Sequence, residues 1–207
     1  MMASIREAVR VVSKAVIAKK ILLTDLDQAI GDGDHGINMA RGFESVLKKI
    51  DLLEENTDAA LILKTVGMGL ISSVGGAAGP LYGTAFLRAS AVCKNKSEID
   101  LATAQAMLDA AIKGIQDRGK AQKGEKTMLD ALIPASEAFS AGTKNKKNIL
   151  QCLNDAVKAA QKGVEYTKTI IATKGRASYL AERSIGHEDP GAVSSAIMLE
   201  ALYNYLK

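Results

Sequence analysis

The sequence predicts an all-α protein: an antiparallel up-and-down array of eight helices. Three observations lead there. Apolar residues recur at three- and four-residue spacing along the whole chain, with no sustained strand-like alternation. Of the 207 residues, 47% are apolar but only 4% aromatic, so Ala, Leu, Ile, Val and Met must fill the core. Small and straight side chains of this kind favour closely packed helices. Only three prolines interrupt the pattern.

Taken in order, residues 3–20 place Ile5, Ala8, Val9, Val12, Val16 and Ile17 on one helical face. A turn rich in Asp and Gly follows, and a second helix runs from near residue 36 to about 50. The third spans about 57 or 58 to 73, apolar at Ile62, Leu63, Val66 and Leu70, with Thr57 or Asp58 as its cap. Residues 75–80 (Gly-Gly-Ala-Ala-Gly-Pro) break the periodicity. Pro80 suits the first position of a fourth helix over about 80–94. The fifth, 100–118, carries Leu101, Ala104, Leu108, Ala111, Ile112 and Ile115 at helical spacing. After a Lys/Gly-rich loop at 119–126, a sixth helix reaches about 140, with Pro134 as an expected kink. The seventh is long, about 147–173. A loop at 174–190 precedes the eighth, about 191–206.

Short connections make sequential helices antiparallel neighbours. The loops between helices 1 and 2, 3 and 4, 5 and 6, and 7 and 8 then share one end of the array. Those four loops hold the unusual residues, which argues for one composite site. With neither repeat nor linker, residues 1–207 read as a single domain.

The first of these loops is the most informative. Asp27, Asp32 and Asp34 fall within eight positions, with Gly31 and Gly33 between them and His35 and Asn38 just beyond. Carboxylates this crowded repel unless a cation lies among them. Hard oxygen donors suit magnesium or calcium rather than zinc or copper. A helix-loop-helix calcium loop needs Glu at its twelfth position. Counting from Asp32 gives Phe43, and from Asp25 gives Gly36, so that motif is excluded. Magnesium shares its coordination with water and phosphate oxygens. Three Asp on a Gly-rich loop therefore point to a magnesium–nucleotide site rather than a closed calcium cage, the alternative being a solvated acidic turn. His35 is placed to touch phosphate or metal-bound water.

The second loop offers backbone N–H groups unshielded by side chains ahead of a helix N-terminus, which suits an anion, and reads equally as a tight connection between helices. The third resembles a P-loop, but Glu125 separates Gly124 from Lys126 and no strand precedes it, so that reading is rejected. Its lysines are open to two readings, a solvated basic loop or an approach to nucleotide, and Met128 is placed to pad a base. In the fourth, Arg176 can clamp a phosphate through its forked guanidinium. Asp189 caps the last helix. His187 reads as a loop contact.

Composition narrows the function further. The net charge of +4 is modest and spread among acids, and few aromatics accompany it, so nucleic-acid binding is not expected. No apolar run approaches the ~20 residues of a membrane span, and residues 4–20 lack the form of a signal peptide. Cys93 and Cys152 lack metal-ligand spacing and read as reduced buried thiols. A cytoplasmic protein without membrane contact is expected. No Ser-His-Asp or Cys-His set and no paired Asp-Asp-x-x-Asp motif occurs. What remains is positioning and electrostatics, the main demands of phosphoryl transfer.

Five segments, taken together, resemble the dihydroxyacetone kinase L-subunit family, DhaL. They are residues 26–36 (Leu-Asp-x4-Asp-Gly-Asp-His-Gly), 74–80, 124–128, 175–179 and 189–191, in family order. The resemblance implies an eight-helix up-and-down barrel with a nucleotide and two magnesium ions at one end. It implies magnesium ligation by Asp27, Asp32 and Asp34, and a phosphate-side segment of His35, Gly36, Ile37 and Asn38. Gly76, Ala77, Gly119, Met128, Arg176, Asp189, Pro190 and Gly191 would supply the remaining nucleotide contacts. One departure is Ala78, which stands where the family commonly has Ser and removes a hydroxyl.

A free subunit of this length resembles the phosphoenolpyruvate-dependent branch. There ADP stays bound as a cofactor and is recharged to ATP by a phosphohistidine on an M subunit. The phosphoryl group passes to dihydroxyacetone held covalently on a K subunit. Alternatives are an ATP-exchanging kinase domain and a nucleotide-dependent module that binds a transcriptional regulator.

Overall fold

The computed structural model describes residues 4–96 and 99–207, and every regular element among them is helical. The elements are α1 (Ile5–Ala18), α2 (Lys20–Ile30), α3 (His35–Asp51), α4 (Ala59–Ser73), α5 (Ala78–Val92), α6 (Leu101–Gly119), α7 (Leu129–Lys144), α8 (Ile149–Thr167), a 3₁₀ segment (Arg176–Ser184) and α9 (Pro190–Leu206). Eight of these close a ring: α1 packs on α3, each helix from α3 onward packs on the next, and α9 returns to α1. The backbone N–H of Ser4 donates to Tyr205 Oη at 3.2 Å, so α9 ends where α1 begins. Helix α2 lies outside the ring, against α3 and α9.

The predicted all-α up-and-down array is therefore present, with one additional α-helix. The first predicted helix and the turn after it resolve into α1 and α2, which meet at Lys19 (φ −97°, ψ 14°). There the Lys19 N–H reaches back only three residues, to Val16 O at 3.1 Å. Neither Gly nor Pro marks this break, which is why periodicity alone did not place it. Ala3, the first residue of that predicted helix, lies outside the described residues.

Other boundaries follow their chemistry. Asp58, Asp100 and Asp189 cap α4, α6 and α9, each accepting a backbone N–H three residues on at 2.7 Å. Asn148 and Gln151 form a reciprocal capping box on α8. Pro80 stands at the third position of α5 rather than the first, still within the turn whose N–H groups lack helical partners. Helix α7 runs on through Pro134 to Lys144. Helix α8 stops at Thr167, six residues before its predicted end, because tertiary contacts described below take over its last carbonyl. The expected loop at 174–190 contains the 3₁₀ segment, broken at Ala181 (φ 49°).

The core matches the composition. Ala131 and Ala135 of α7 and Ala156 and Ala160 of α8 are fully buried, letting these backbones approach closely. Val16, Leu23, Phe43, Val66 and Leu70 fill the space between the other helices. Cys93 and Cys152 are free and buried, as expected. No helix among the described residues is long and apolar enough to cross a membrane.

Candidate functional site

At one end of the ring a cavity of about 540 Å³ opens, within the size range of small-molecule sites. Its wall draws on all four predicted loops: Asp27 to His35, Gly75 to Leu81, Arg118 to Leu129, and Lys174 to Gly191. Four helices, α3, α5, α7 and α9, turn their N-termini toward it, while only α2 and α6 contribute C-terminal residues. The helix dipoles and free N–H groups thus favour an anion. In the second loop Gly76 adopts φ +64° with open space where a Cβ would lie, so its backbone turns without shielding the amides.

The three carboxylates come together here. One ligand oxygen from each of Asp27, Asp32 and Asp34 lies within 4.8 Å of the others. Asp27 sits in the last turn of α2, not in a loop, and its Oδ2 accepts the N–H groups of Asp34 at 2.8 Å and His35 at 3.0 Å. It thereby caps α3 from the preceding helix, while Asp34, at the N-cap position, makes no side-chain cap. Asp32 receives Arg176 across the cavity at 2.9 Å, joining the first loop to the fourth. Hard oxygen donors at this spacing, beside convergent helix N-termini, fit magnesium bound together with phosphate.

The phosphate-side segment divides. His35 lines the cavity, and its Nε2 lies 3.0 Å from Ser194 Oγ. Gly36, Ile37 and Asn38 do not line it. Gly36 is buried where α3 crosses α2, and a Cβ would collide with the Lys20 carbonyl and with Thr24. Ile37 is exposed, and Asn38 is buried with Arg41 donating to its Oδ1. Gly76, Ala77, Gly119, Met128, Arg176, Asp189, Pro190 and Gly191 all line the cavity. Ile115, Leu129 and Leu81 add an apolar wall beside them.

Two buried charged residues were not singled out by the sequence reading. Lys126, in the loop read as basic and solvated or nucleotide-facing, is 1% exposed. Its ammonium donates to the carbonyls of Thr167, at the end of α8, and His187, at 2.6 Å, pinning the fourth loop. Burial lowers its pKa, against the pull of Asp189 and Asp130. Asp130, fully buried, accepts the N–H groups of Gly124 and of Thr127, the latter at 2.8 Å. The capping-box spacing Thr127-x-x-Asp130 was the available signal for it.

Electrostatics in the cavity pull both ways. Burial pushes the Asp189 carboxyl up to about 7, with Asp130 and Asp27 adding to it and the Ala192 N–H and Lys126 opposing. Burial lowers His35 against the attraction of Asp27 and Asp34.

The chain is 50% identical over 183 residues to the ADP-binding subunit DhaL of PEP-dependent dihydroxyacetone kinase 1 from Listeria innocua, covering 88% of this chain and 86% of that protein. It is 43% identical over 180 residues to the ADP-binding DhaL subunit from Escherichia coli, covering 87% and 85%. In structure it resembles the dihydroxyacetone kinase from C. freundii, solved in complex with AMP-PNP and Mg2+, with a TM-score of 0.73 and 25% identity. That match covers 99% of this chain but only 34% of the C. freundii chain, so this chain spans about a third of its length. The model of the DAK2 domain matches residues 29–204, and with that match and these relatives the chain belongs to the DAK2 domain family.

Proposed function

We propose that this chain is the ADP-binding subunit of a phosphoenolpyruvate-dependent dihydroxyacetone kinase, acting as one DhaL-type domain over residues 1–207. The observation that carries this is the convergence of three carboxylates and four helix N-termini on one cavity. The names of the Listeria and E. coli relatives support the same reading.

Asp27, Asp32 and Asp34 would hold magnesium, two ions in all. Magnesium, when bound, neutralises charge on the transferring phosphates. The chain's own residues do the rest. Backbone amides at Gly76 and Ala77 and the α9 N-terminus at Asp189, Pro190 and Gly191 hold the nucleotide, and Arg176 clamps a phosphate oxygen. Met128 and Gly119 flank the base or sugar. His35 faces the phosphates, with Gly36, Ile37 and Asn38 holding the start of α3 behind it. In this reading the site would keep ADP as a cofactor, the phosphohistidine of an M subunit would supply the phosphoryl group that converts it to ATP, and dihydroxyacetone on a K subunit would receive that group, leaving ADP in place. The setting proposed is cytoplasmic, and the alternative reading is a nucleotide-dependent module that binds a transcriptional regulator.

The test is the nucleotide that co-elutes with freshly purified protein, followed with and without a chelator. ADP retained through gel filtration, and lost on chelation or in Asp32→Asn, is the expected result. Rapidly exchanging nucleotide would support an ATP-consuming kinase domain instead. Retention unaffected by chelation and by Asp32→Asn would remove the carboxylates from the site.

A further inference from the structure

Behind His35 lies a set of buried hydroxyls. The Tyr82 hydroxyl, from α5, sits 2.7 Å from Ser194 Oγ and 2.8 Å from Ser195 Oγ, both on α9. It also lies 2.9 Å from the Gly191 carbonyl. Ser194 and Ser195 are fully buried, and Tyr82 is 2% exposed. Both serines also reach the Gly191 carbonyl, at 3.1 and 2.9 Å. Ser194 alone continues the set, to His35 Nε2 at 3.0 Å. The network thus runs from buried residues in the early turns of α5 and α9 to a side chain on the cavity wall.

We infer that Tyr82 and Ser194 are positioning residues that hold His35 as its Nδ1–H tautomer and aim that N–H into the cavity. This rests on the reading that the cavity holds phosphate groups. Each hydroxyl has one hydrogen to give and lone pairs to receive. Two placements are open: the hydroxyls all donate to the Gly191 carbonyl while His35 Nε2–H donates to Ser194, or Ser194 donates to His35 Nε2 while Tyr82 donates to Ser194 and Ser195 to the Gly191 carbonyl. In the second the imidazole proton is left on Nδ1, since the partner of one ring nitrogen fixes the state of the other. Among the described residues the only buried side-chain N or O atom without a partner is Gln105 Oε1. His35 Nδ1, which no protein group meets, therefore reaches open space, and His35 is part of the cavity wall. A chain of dipoles running Tyr82 to Ser194 to His35 presents its positive end to an anion. The reverse order would present a lone pair to phosphate, which repels it.

The chain has two histidines, His35 and the exposed His187, so 15N-histidine labelling gives two ring systems, and His187→Gln assigns them. Two-bond 15N–1H spectra of the neutral rings read the tautomer directly, before any nucleotide is added. His35 is expected as Nδ1–H, and His187 as the Nε2–H form that a solvated imidazole favours. Ser194→Ala should turn His35 to Nε2–H, and Tyr82→Phe should shift it the same way in smaller measure. Wild-type His35 found as Nε2–H, or an unchanged tautomer in Ser194→Ala, overturns the inference. In the reconstituted system Tyr82→Phe should lower kcat roughly tenfold, as loss of a hydrogen bond behind a functional histidine does elsewhere, and should weaken ADP retention in the same direction. An unaltered kcat in a variant with a shifted tautomer refutes the positioning role. Wild-type protein that holds no ADP and transfers no phosphoryl group refutes the proposed function instead, independently of the tautomer.

Discussion

Replacing Lys126 by Met removes an ammonium from the interior while keeping an unbranched stem of similar length. The backbone there has φ +60°, which costs the two side chains alike, so the comparison isolates the charge. Two carbonyls lose their donor, Thr167 O and His187 O, while Ile170 O at 3.5 Å is too distant to count. A hydrogen bond to a charged group contributes about 1.5–3 kcal/mol, so the pair represents about 3–6 kcal/mol. Relief from burying the ammonium offsets part of this, leaving a net loss of about 3 kcal/mol. With a urea dependence of about 2–3 kcal/mol per molar, the unfolding midpoint should fall by about 1–1.5 M at unchanged slope. Amide exchange should accelerate first in residues 168–189, which lose their tether. A midpoint drop under about 0.3 M, or exchange that rises uniformly over the chain, would refute the assignment of Lys126 as the clamp of the fourth loop.

Asp189→Asn should gain on wild type as pH rises. Burial places the Asp189 pKa at about 7, above its ordinary 3.8, so between those values the folded chain keeps a proton that the unfolded chain has lost. The stability it contributes is present below about 3.8 and is lost as pH rises through about 7. Asn caps the helix without titrating, so parallel stability–pH curves for the two metal-free proteins would contradict the shift. Gly36→Ala should destabilise by about 3 kcal/mol, the upper end for overpacking, because backbone atoms of α2 stand in its way. At about 2–4 °C per kcal/mol this lowers Tm by roughly 6–12 °C, and a Tm within 2 °C of wild type would count against it. Arg176→Ala breaks the exposed ion pair with Asp32, so it should leave Tm within about 2 °C of wild type while weakening nucleotide retention at least tenfold. Retention equal to wild type would remove Arg176 from the phosphate clamp.

The helical class was legible because periodicity and small apolar residues both point to it, and the caps at Asp58, Asp100 and Asp189 mark their own positions. The shared end of the four loops followed from antiparallel connectivity alone. The break at Lys19 was not legible, since a single hydrogen bond shortened by one residue leaves no residue signature. The end of α8 at Thr167 was hidden for a different reason: Lys126, 41 residues earlier, fixes it. Asp27 was placed in a turn, yet it projects from α2 and reaches α3 from there. Lys126 resembled every other lysine in a basic loop, and only the assembled structure shows that it alone is enclosed by carbonyls. Tyr82 and Ser194 are ordinary helix residues until their partners, 112 positions apart, meet.

One oxygen of Asp27, Oδ2, is already committed within the fold. Through Oδ2 the side chain is fixed when α3 forms, whether or not a cation is near. On the reading proposed above, a metal arrives at a ligand already immobilised, so binding avoids the roughly 0.5–1.5 kcal/mol of ordering that a free side chain would add. Departure of the metal likewise leaves the carboxylate where it was. A subunit built this way can lose and regain its ion without rebuilding its entrance, and the speed of reloading becomes a matter of diffusion and dehydration rather than of refolding.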